Sequence, residues 1–182
     1  MGMGARVTIL EVSPDRMNYI DDCFDGRIQT LWSTPHLIDM LLPQADVVIG
    51  AILIPGAKAP HLVTKEQVEH RMEEGSVVVD VAVDQGGCIE TCLPTTHDDP
   101  TYIVGGVVHY CVANMPGAVS QTSTIALTNA TLRHAVALAD KGIVKACAED
   151  PALALGVTVF DGDCTYKPVA DVAGVDYVPF PG

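Results

Sequence analysis

Ser76-Val77-Val78-Val79-Asp80-Val81-Ala82 (SVVVDVA) is the stretch from which the fold is read. Its β-branched residues are stiff at χ1 and favour extended backbone, which makes it the clearest strand in the chain. Upstream, Asp46 to Ala51 (DVVIGA) is a second strand. It lacks polar alternation, as expected of a strand covered on both faces. Between the two, Thr64 to Met72 reads as a helix capped by Thr64, with Gln67 in capping-box position and Gly75 closing it. Further out, Arg6 to Glu11 (RVTILE) is a strand, and Ser13-Pro14-Asp15 opens a helix with a serine cap and proline at its first position. Gly2 and Gly4 mark the turn into that strand. Arg27 to Leu31 is a short strand and His36 to Leu42 a short helix. Val104 to Val112 contains another strand, and Thr122 to Lys141 is a helix closed by Gly142. Two short tail strands, Val157 to Phe160 and Asp176 to Val178, flank a helix near Val169 to Ala173. Strands alternating with helices predict an α/β fold with a parallel sheet.

Of the 182 residues, 48% are apolar and 18% charged, enough for a substantial core and unlike a disordered chain. Ten basic against 23 acidic residues give a net charge of −13, which argues against a nucleic-acid or anionic-membrane surface. The longest apolar run, Val47 to Pro55, is about half of the roughly 20 residues a membrane helix needs. With no export-signal pattern at the first residues, a cytoplasmic location is expected. Six cysteines at 23, 88, 92, 111, 147 and 164 lack paired C-x-x-C spacing and read as reduced thiols. Cys88 and Cys92 are spaced for one helical turn without a matching second pair, so no metal site is expected.

The residues that carry chemistry lie at strand ends. Glu11 ends its strand just before a turn, where dinucleotide folds hold the adenosine ribose. A carboxylate there accepts from both ribose hydroxyls and repels a 2′-phosphate, favouring NAD over NADP. The usual Gly-x-Gly-x-x-Gly loop lies about 20 residues upstream of such an acid, whereas ten residues precede Glu11 in this sequence. Later strands end in Gly50 to Pro60 (GAILIPGAKAP), in Asp84-Gln85-Gly86-Gly87 and in Asn114-Met115-Pro116. Open α/β sheets bind ligands at such carboxyl ends. Each segment also has an ordinary reading as a tight loop or a capped turn.

Taken together, these segments resemble alanine dehydrogenase. The runs that carry the resemblance are GARVTILE (Gly4 to Glu11), GAILIPGAKAP (Gly50 to Pro60), VVVDVAVDQGG (Val77 to Gly87) and YCVANMPGAVSQTSTIALTNAT (Tyr110 to Thr131). The tail DGDCTYKPVADVAGVDYVP (Asp161 to Pro179) fits less tightly. The related transhydrogenase NAD-binding subunit departs at Asp84-Gln85-Gly86-Gly87 and lacks Asn114 to Val119 as they stand. The resemblance implies a Rossmann-type sheet whose first strand and Gly-rich loop are missing. It divides the chain into a partial NAD-binding domain, residues 1–116, and a C-terminal segment, residues 117–182, that packs on the substrate domain in the family. It implies NAD as cofactor, with Glu11 on the adenosine ribose and Arg16 nearby. Ser33, Ile52 and Leu53 would line the adenine and ribose pocket. Val81, Asp84, Asn114 and Met115 would surround the nicotinamide, Asp84 also facing the substrate as the catalytic residue. The family oxidises L-alanine to pyruvate and ammonia and forms homo-oligomers, hexamers among them.

Two departures follow. Glu11 stands where the family more usually has Asp. The family's substrate-binding Arg and Lys and its catalytic His belong to an N-terminal domain, and none of His36, His61, His70, His97, His109 and His134 corresponds to that His. The expectation is therefore a truncated, catalytically incomplete form, with Met1 or Met3 a start assigned inside a longer frame, and weak or no NAD binding. With strand order 3-2-1-4-5-6, the strands at Arg6–Glu11 and Asp46–Ala51 either close up or leave two open edges. The helix from Thr122 is expected to expose apolar surface. The alternative readings are a non-catalytic remnant pairing with a full-length dehydrogenase, a transhydrogenase relative, and a methyltransferase-like α/β protein. The long run from Tyr110 to Thr131 weighs against the last.

Overall fold

A computed structural model describes residues 1–52, 54 and 60–182. Leu53, and residues 55–59 of the Pro-Gly stretch, lie outside the described residues. Strand β1 (Thr8–Glu11) pairs in parallel with β2 (Gln29–Trp32) across helix α1 (Pro14–Phe24). The Ser13 side chain accepts from the Arg16 N–H and Pro14 occupies the first turn. Helix α2 (Pro35–Leu41) is capped by Thr34 and leads into β3 (Val47–Gly50). Helix α3 (Lys65–Arg71) has the full Thr64–Gln67 capping box and leads to β4 (Val77–Asp80). The chain leaves the helix earlier than Gly75 would dictate. Met72 is already extended and buried in the core, and Gly75 serves a turn whose N–H donates to Gly106 O.

The strand expected within Val104 to Val112 forms, and a second strand that was not expected precedes it. Val104 ends β5 (Thr101–Val104), and β6 (Val107–Tyr110) returns antiparallel to it. The connection is Gly105-Gly106, both at positive φ (58° and 82°), the conformation that two-residue hairpin turns demand. Strand β6 pairs in parallel with β4, giving a four-stranded sheet of order β3-β4-β6-β5. Among the described residues β1 pairs only with β2, so the outcome for the sheet is two open edges and not direct closure of β1 on β3. On β3, Val47 and Ile49 are accordingly more than half exposed.

One core nonetheless joins these parts. Ile38 and Leu42, Val63 and Val68, Val78, Ile89 and Val107 form a single buried cluster, against which Leu10 of β1 also packs. Complete burial of Val68, Val78 and Val107 contributes roughly 1.5–3 kcal/mol each. Asp39 of α2 holds α3 by an ion pair with Arg71 at 3.0 Å and a bond from Gln67 Nε2 at 3.3 Å.

Helix α4 (Ser120–Lys141) buries none of its 22 residues, and Ile125, Leu127, Leu132 and Val136 are between 49% and 66% exposed. Gly142 closes it at positive φ. Helices α5 (Ile143–Glu149) and α6 (Pro151–Ala154) follow. In the tail, β7 (Val159–Phe160) pairs antiparallel with β8 (Asp163–Cys164), before α7 (Lys167–Ala173). No strand forms at Asp176–Val178. Tyr177 makes a single bridge to Cys164, because β8 is too short to offer more than one partner.

Candidate functional site

The parallel register brings the strand ends level. Gly50 stands opposite Asp80, Val79 opposite Tyr110, and Val81 N–H donates to Gly50 O at 2.8 Å. The segments after β3, β4 and β6 therefore leave from one carboxyl edge, the edge where open α/β sheets bind ligands.

Asp80 organises that edge. Its side chain is fully buried; Oδ1 accepts from Ala82 N at 2.9 Å, and Oδ2 from Cys88 N at 2.8 Å and Ile89 N at 3.2 Å. The carboxylate thus ties the end of β4 to the chain returning at residues 88–89. Two glycines make room for it. A Cβ at Gly50 would overlap Cys88 Sγ and stand 3.2 Å from Asp80 Oδ1, and one at Gly87 (φ +71°) would stand 2.9 Å from Asp80 Oδ2. The loop so held buries Ala82 and Val83, which turns Val81 (53% exposed) and Asp84 outward. Asp84 sits on the short 3₁₀ turn Val83–Gln85, exposed, and its carboxylate accepts no hydrogen bond among the described residues.

Beneath this loop lies a cluster of thiols. Burial pushes Cys88 up, helped by the adjacent Asp80 carboxylate. The interaction of the Cys92 and Cys111 side chains raises Cys92 and lowers Cys111, the latter against the opposing effect of burial. Tyr102 Oη also reaches Cys111 Sγ at 3.7 Å. Among the described residues, no group of three or more His, Cys, Asp or Glu side chains is arranged to hold a metal ion.

Past β6, Val112 bridges to Thr95, and Asn114 begins a 3₁₀ turn, Met115–Val119. Asn114 is exposed and Met115 half-buried. The Asn114 carbonyl accepts from Gly117 N at 3.0 Å and lies 2.6 Å from His97 Nε2.

Glu11, Ser33 and Arg16 stand at the carboxyl end of the other strand pair. Glu11 Oε1 accepts from Val12 N (2.6 Å) and Ser13 N (3.1 Å), and Glu11 O accepts from Ser33 N (2.9 Å). The turn thereby fixes one carboxylate oxygen, while Oε2 makes no hydrogen bond among the described residues. The Arg16 guanidinium lies over the Tyr19 ring, 4.7 Å from its centroid, and forms no ion pair with Glu11 among the described residues.

The residues singled out in the sequence thus fall into two groups. Ile52, Val81, Asp84, Asn114 and Met115 follow the strands of one sheet, whereas Glu11, Ser33 and Arg16 belong to the β1–β2 pair. Leu53 lies outside the described residues. Gly50 and Gly87 fall in the strand-end segments singled out in the sequence, whereas Asp80 and His97 were not recognised from sequence as parts of the site. The one available signal was a charged residue inside an otherwise apolar run, at Asp80. A separate hollow, lined by Pro43–Asp46 and Glu73–Ser76, lies at the amino ends of β3 and β4, the opposite edge of the sheet.

Comparison with known proteins agrees with this fold. The family model described as alanine dehydrogenase/PNT, C-terminal domain, matches residues 1–167. The alanine dehydrogenase of Halomonas elongata is 54% identical over 178 residues, covering 98% of this chain and 48% of the relative. That of Lysinibacillus sphaericus is 53% identical over 179 residues, again covering 98% and 48%. A solved L-alanine dehydrogenase superposes with a TM-score of 0.83 at 47% identity, over 95% of this chain and 47% of that one. The transhydrogenase from Sinorhizobium meliloti superposes less closely, with a TM-score of 0.59 at 31% identity, over 68% and 34%. The chain spans about half the length of the curated relatives it matches. On its Rossmann-type α/β fold and on these matches along nearly its whole length, the chain belongs to the alanine dehydrogenase/PNT C-terminal domain family.

Proposed function

We propose that this chain supplies the nicotinamide-nucleotide half of an enzyme that oxidises L-alanine to pyruvate and ammonia with NAD. The observation that carries the reading is the shared carboxyl edge, which sets Val81, Asp84, Asn114 and Met115 along one sheet. The residues present suit the dinucleotide at both ends. Glu11 keeps one carboxylate oxygen open beside Ser33, in position to accept from ribose hydroxyls and to repel a 2′-phosphate. At the other end, outward-facing Val81 and half-buried Met115 offer apolar contact to a planar ring, and the Asn114 amide suits a carboxamide. The β1–β2 pair and the four-stranded sheet represent the parts of one Rossmann domain, residues 1–116, and residues 117–182 pack on a substrate domain.

The bound dinucleotide would supply the hydride acceptor. Of the protein's own residues, Asp84 faces the reacting substrate with a carboxylate free to hold a proton, while Val81 and Met115 exclude water from the ring. The grips for the alanine carboxylate are assigned to the half of the relatives' length that this chain does not span. A cytoplasmic homo-oligomer is the accompanying assignment; among the described residues no helix is long and apolar enough to cross a membrane.

The test joins the chain to the amino-terminal half of the Halomonas elongata enzyme and follows alanine-dependent NAD reduction. Activity that falls at least a hundredfold on Asp84→Asn is expected, on the scale of general acid–base catalysis. A folded fusion without activity, or an unaffected Asp84→Asn variant, counts against the reading. The alternative is a non-catalytic subunit that pairs with a full-length dehydrogenase. The wholly unburied α4 favours it, and co-purification of the chain with an intact enzyme, without activity in the fusion, would select it.

A further inference from the structure

His97 belongs to none of the roles assigned so far, yet it sits at the proposed nicotinamide edge. It lies on the segment between residues 91 and 101, which the structure pins to the extension of β6. Thr95 N–H donates to Cys111 O at 2.9 Å, Ala113 N–H donates to Thr95 O at 3.3 Å, and Thr95 Oγ1 donates to Pro100 O at 3.0 Å. Thus anchored two residues away, the His97 ring reaches Asn114, with Nε2 2.6 Å from the Asn114 carbonyl oxygen. A carbonyl only accepts, so Nε2 carries the proton and donates. The same oxygen accepts from Gly117 N. Asn114 has φ −123° and ψ 63°, neither helical nor extended, as it opens the 3₁₀ turn.

Gly117 shows how tightly the imidazole is fitted. A Cβ there would lie 3.0 Å from His97 Nε2 and 3.2 Å from Asn114 Nδ2. The imidazole, the Asn114 amide and the Gly117 backbone therefore occupy one small volume.

From this geometry we infer that His97 is a positioning residue: its Nε2–H clamps the Asn114 carbonyl, and so aims the Asn114 side chain and Met115 at the nicotinamide ring. The inference rests on the dinucleotide reading above for what the turn is aimed at, but the clamp itself is a property of the apo chain. His97 is exposed, so its replacement removes a clamp without opening a cavity.

The experiment compares the 182-residue chain with His97→Ala and His97→Gln, the glutamine amide being able to donate to the same carbonyl. Amide resonances of Asn114 and Gly117 and the Met115 methyl resonance are recorded with and without NAD, alongside thermal midpoints. Loss of one hydrogen bond should shift these resonances in the Ala variant and weaken NAD binding roughly three- to tenfold. The Gln variant should recover both, and all three proteins should melt together. If the wild-type chain by itself gives no NAD response, the clamp is judged on the apo resonances alone. Unchanged Asn114 and Gly117 resonances in the Ala variant overturn the inference. So does a Gln variant that behaves like Ala, or unaltered NAD affinity in a wild-type chain that binds.

Discussion

Replacing Asp80 by asparagine keeps the shape of the side chain and removes an acceptor. In the native chain three buried N–H groups converge on the carboxylate, Ala82 on Oδ1 and Cys88 and Ile89 on Oδ2. An asparagine has a single oxygen. With that oxygen kept on the Cys88 and Ile89 side, where two donors are served, the new NH₂ group faces the Ala82 N–H. One buried donor left unsatisfied costs about 1–3 kcal/mol. The two surviving bonds change from charged to neutral, a loss of about 1 kcal/mol each. The expected destabilisation is about 3–5 kcal/mol, a large part of the roughly 5–15 kcal/mol that holds a domain folded. Urea unfolding followed by circular dichroism measures it directly, as a lower midpoint at unchanged slope. A loss below about 1 kcal/mol would show that the carboxylate does not anchor the loop, and the account of how Val81 and Asp84 are presented would fall with it.

Two further outcomes follow from the same edge and its support. Gly50→Ala drives a methyl into Cys88 Sγ and the Asp80 carboxyl, and should cost about 1–3 kcal/mol in the same unfolding assay; a neutral effect would mean that the loop yields easily. His109 is fully buried, stacked on Tyr102 with ring centroids 5.0 Å apart, its Nδ1 3.0 Å from Val107 O and its Nε2 2.7 Å from Thr91 Oγ1. Burial holds its pKa below the ordinary value. The folded-state pKa is thus depressed relative to the unfolded chain, and the neutral ring's contribution is fully present above the unfolded value of about 6.5. It is lost as pH falls through the folded value. Urea midpoints between pH 7.5 and 5, roughly the range spanning that titration, should fall more steeply for the native chain than for His109→Gln, and parallel curves would refute the assignment.

Much of the fold could be read from neighbouring residues. Ser13 and Pro14, Thr64 and Gln67, and Gly142 mark helix boundaries through bonds made within a few residues of themselves, so their meaning survives without knowledge of distant contacts. The runs at residues 46–51 and 76–82 announced strands for the same local reason, although the cover on both faces expected of the first is not found at Val47 and Ile49. The strand read within Val104 to Val112 is β6, but the Gly105-Gly106 hairpin and the strand before it went unread, although two adjacent glycines between β-branched residues are a recognisable turn signal. The resemblance of whole motifs located the strand ends, and the parallel register aligned those that follow β3, β4 and β6.

Other features depended on which segments meet. Asp80 looked like an interruption in an apolar run. It became an anchor because residues 82, 88 and 89 bring three N–H groups to it, and Gly50, 30 residues away, leaves the space. His97 carried no local mark at all, since its partner lies 17 residues on and is a backbone carbonyl, which no side-chain pattern encodes. Period and capping are written in short-range sequence because they obey the geometry of one helix or one strand. Convergence on a buried carboxylate, or on a single carbonyl, obeys the packing of several, and it took shape only when those elements were set against one another.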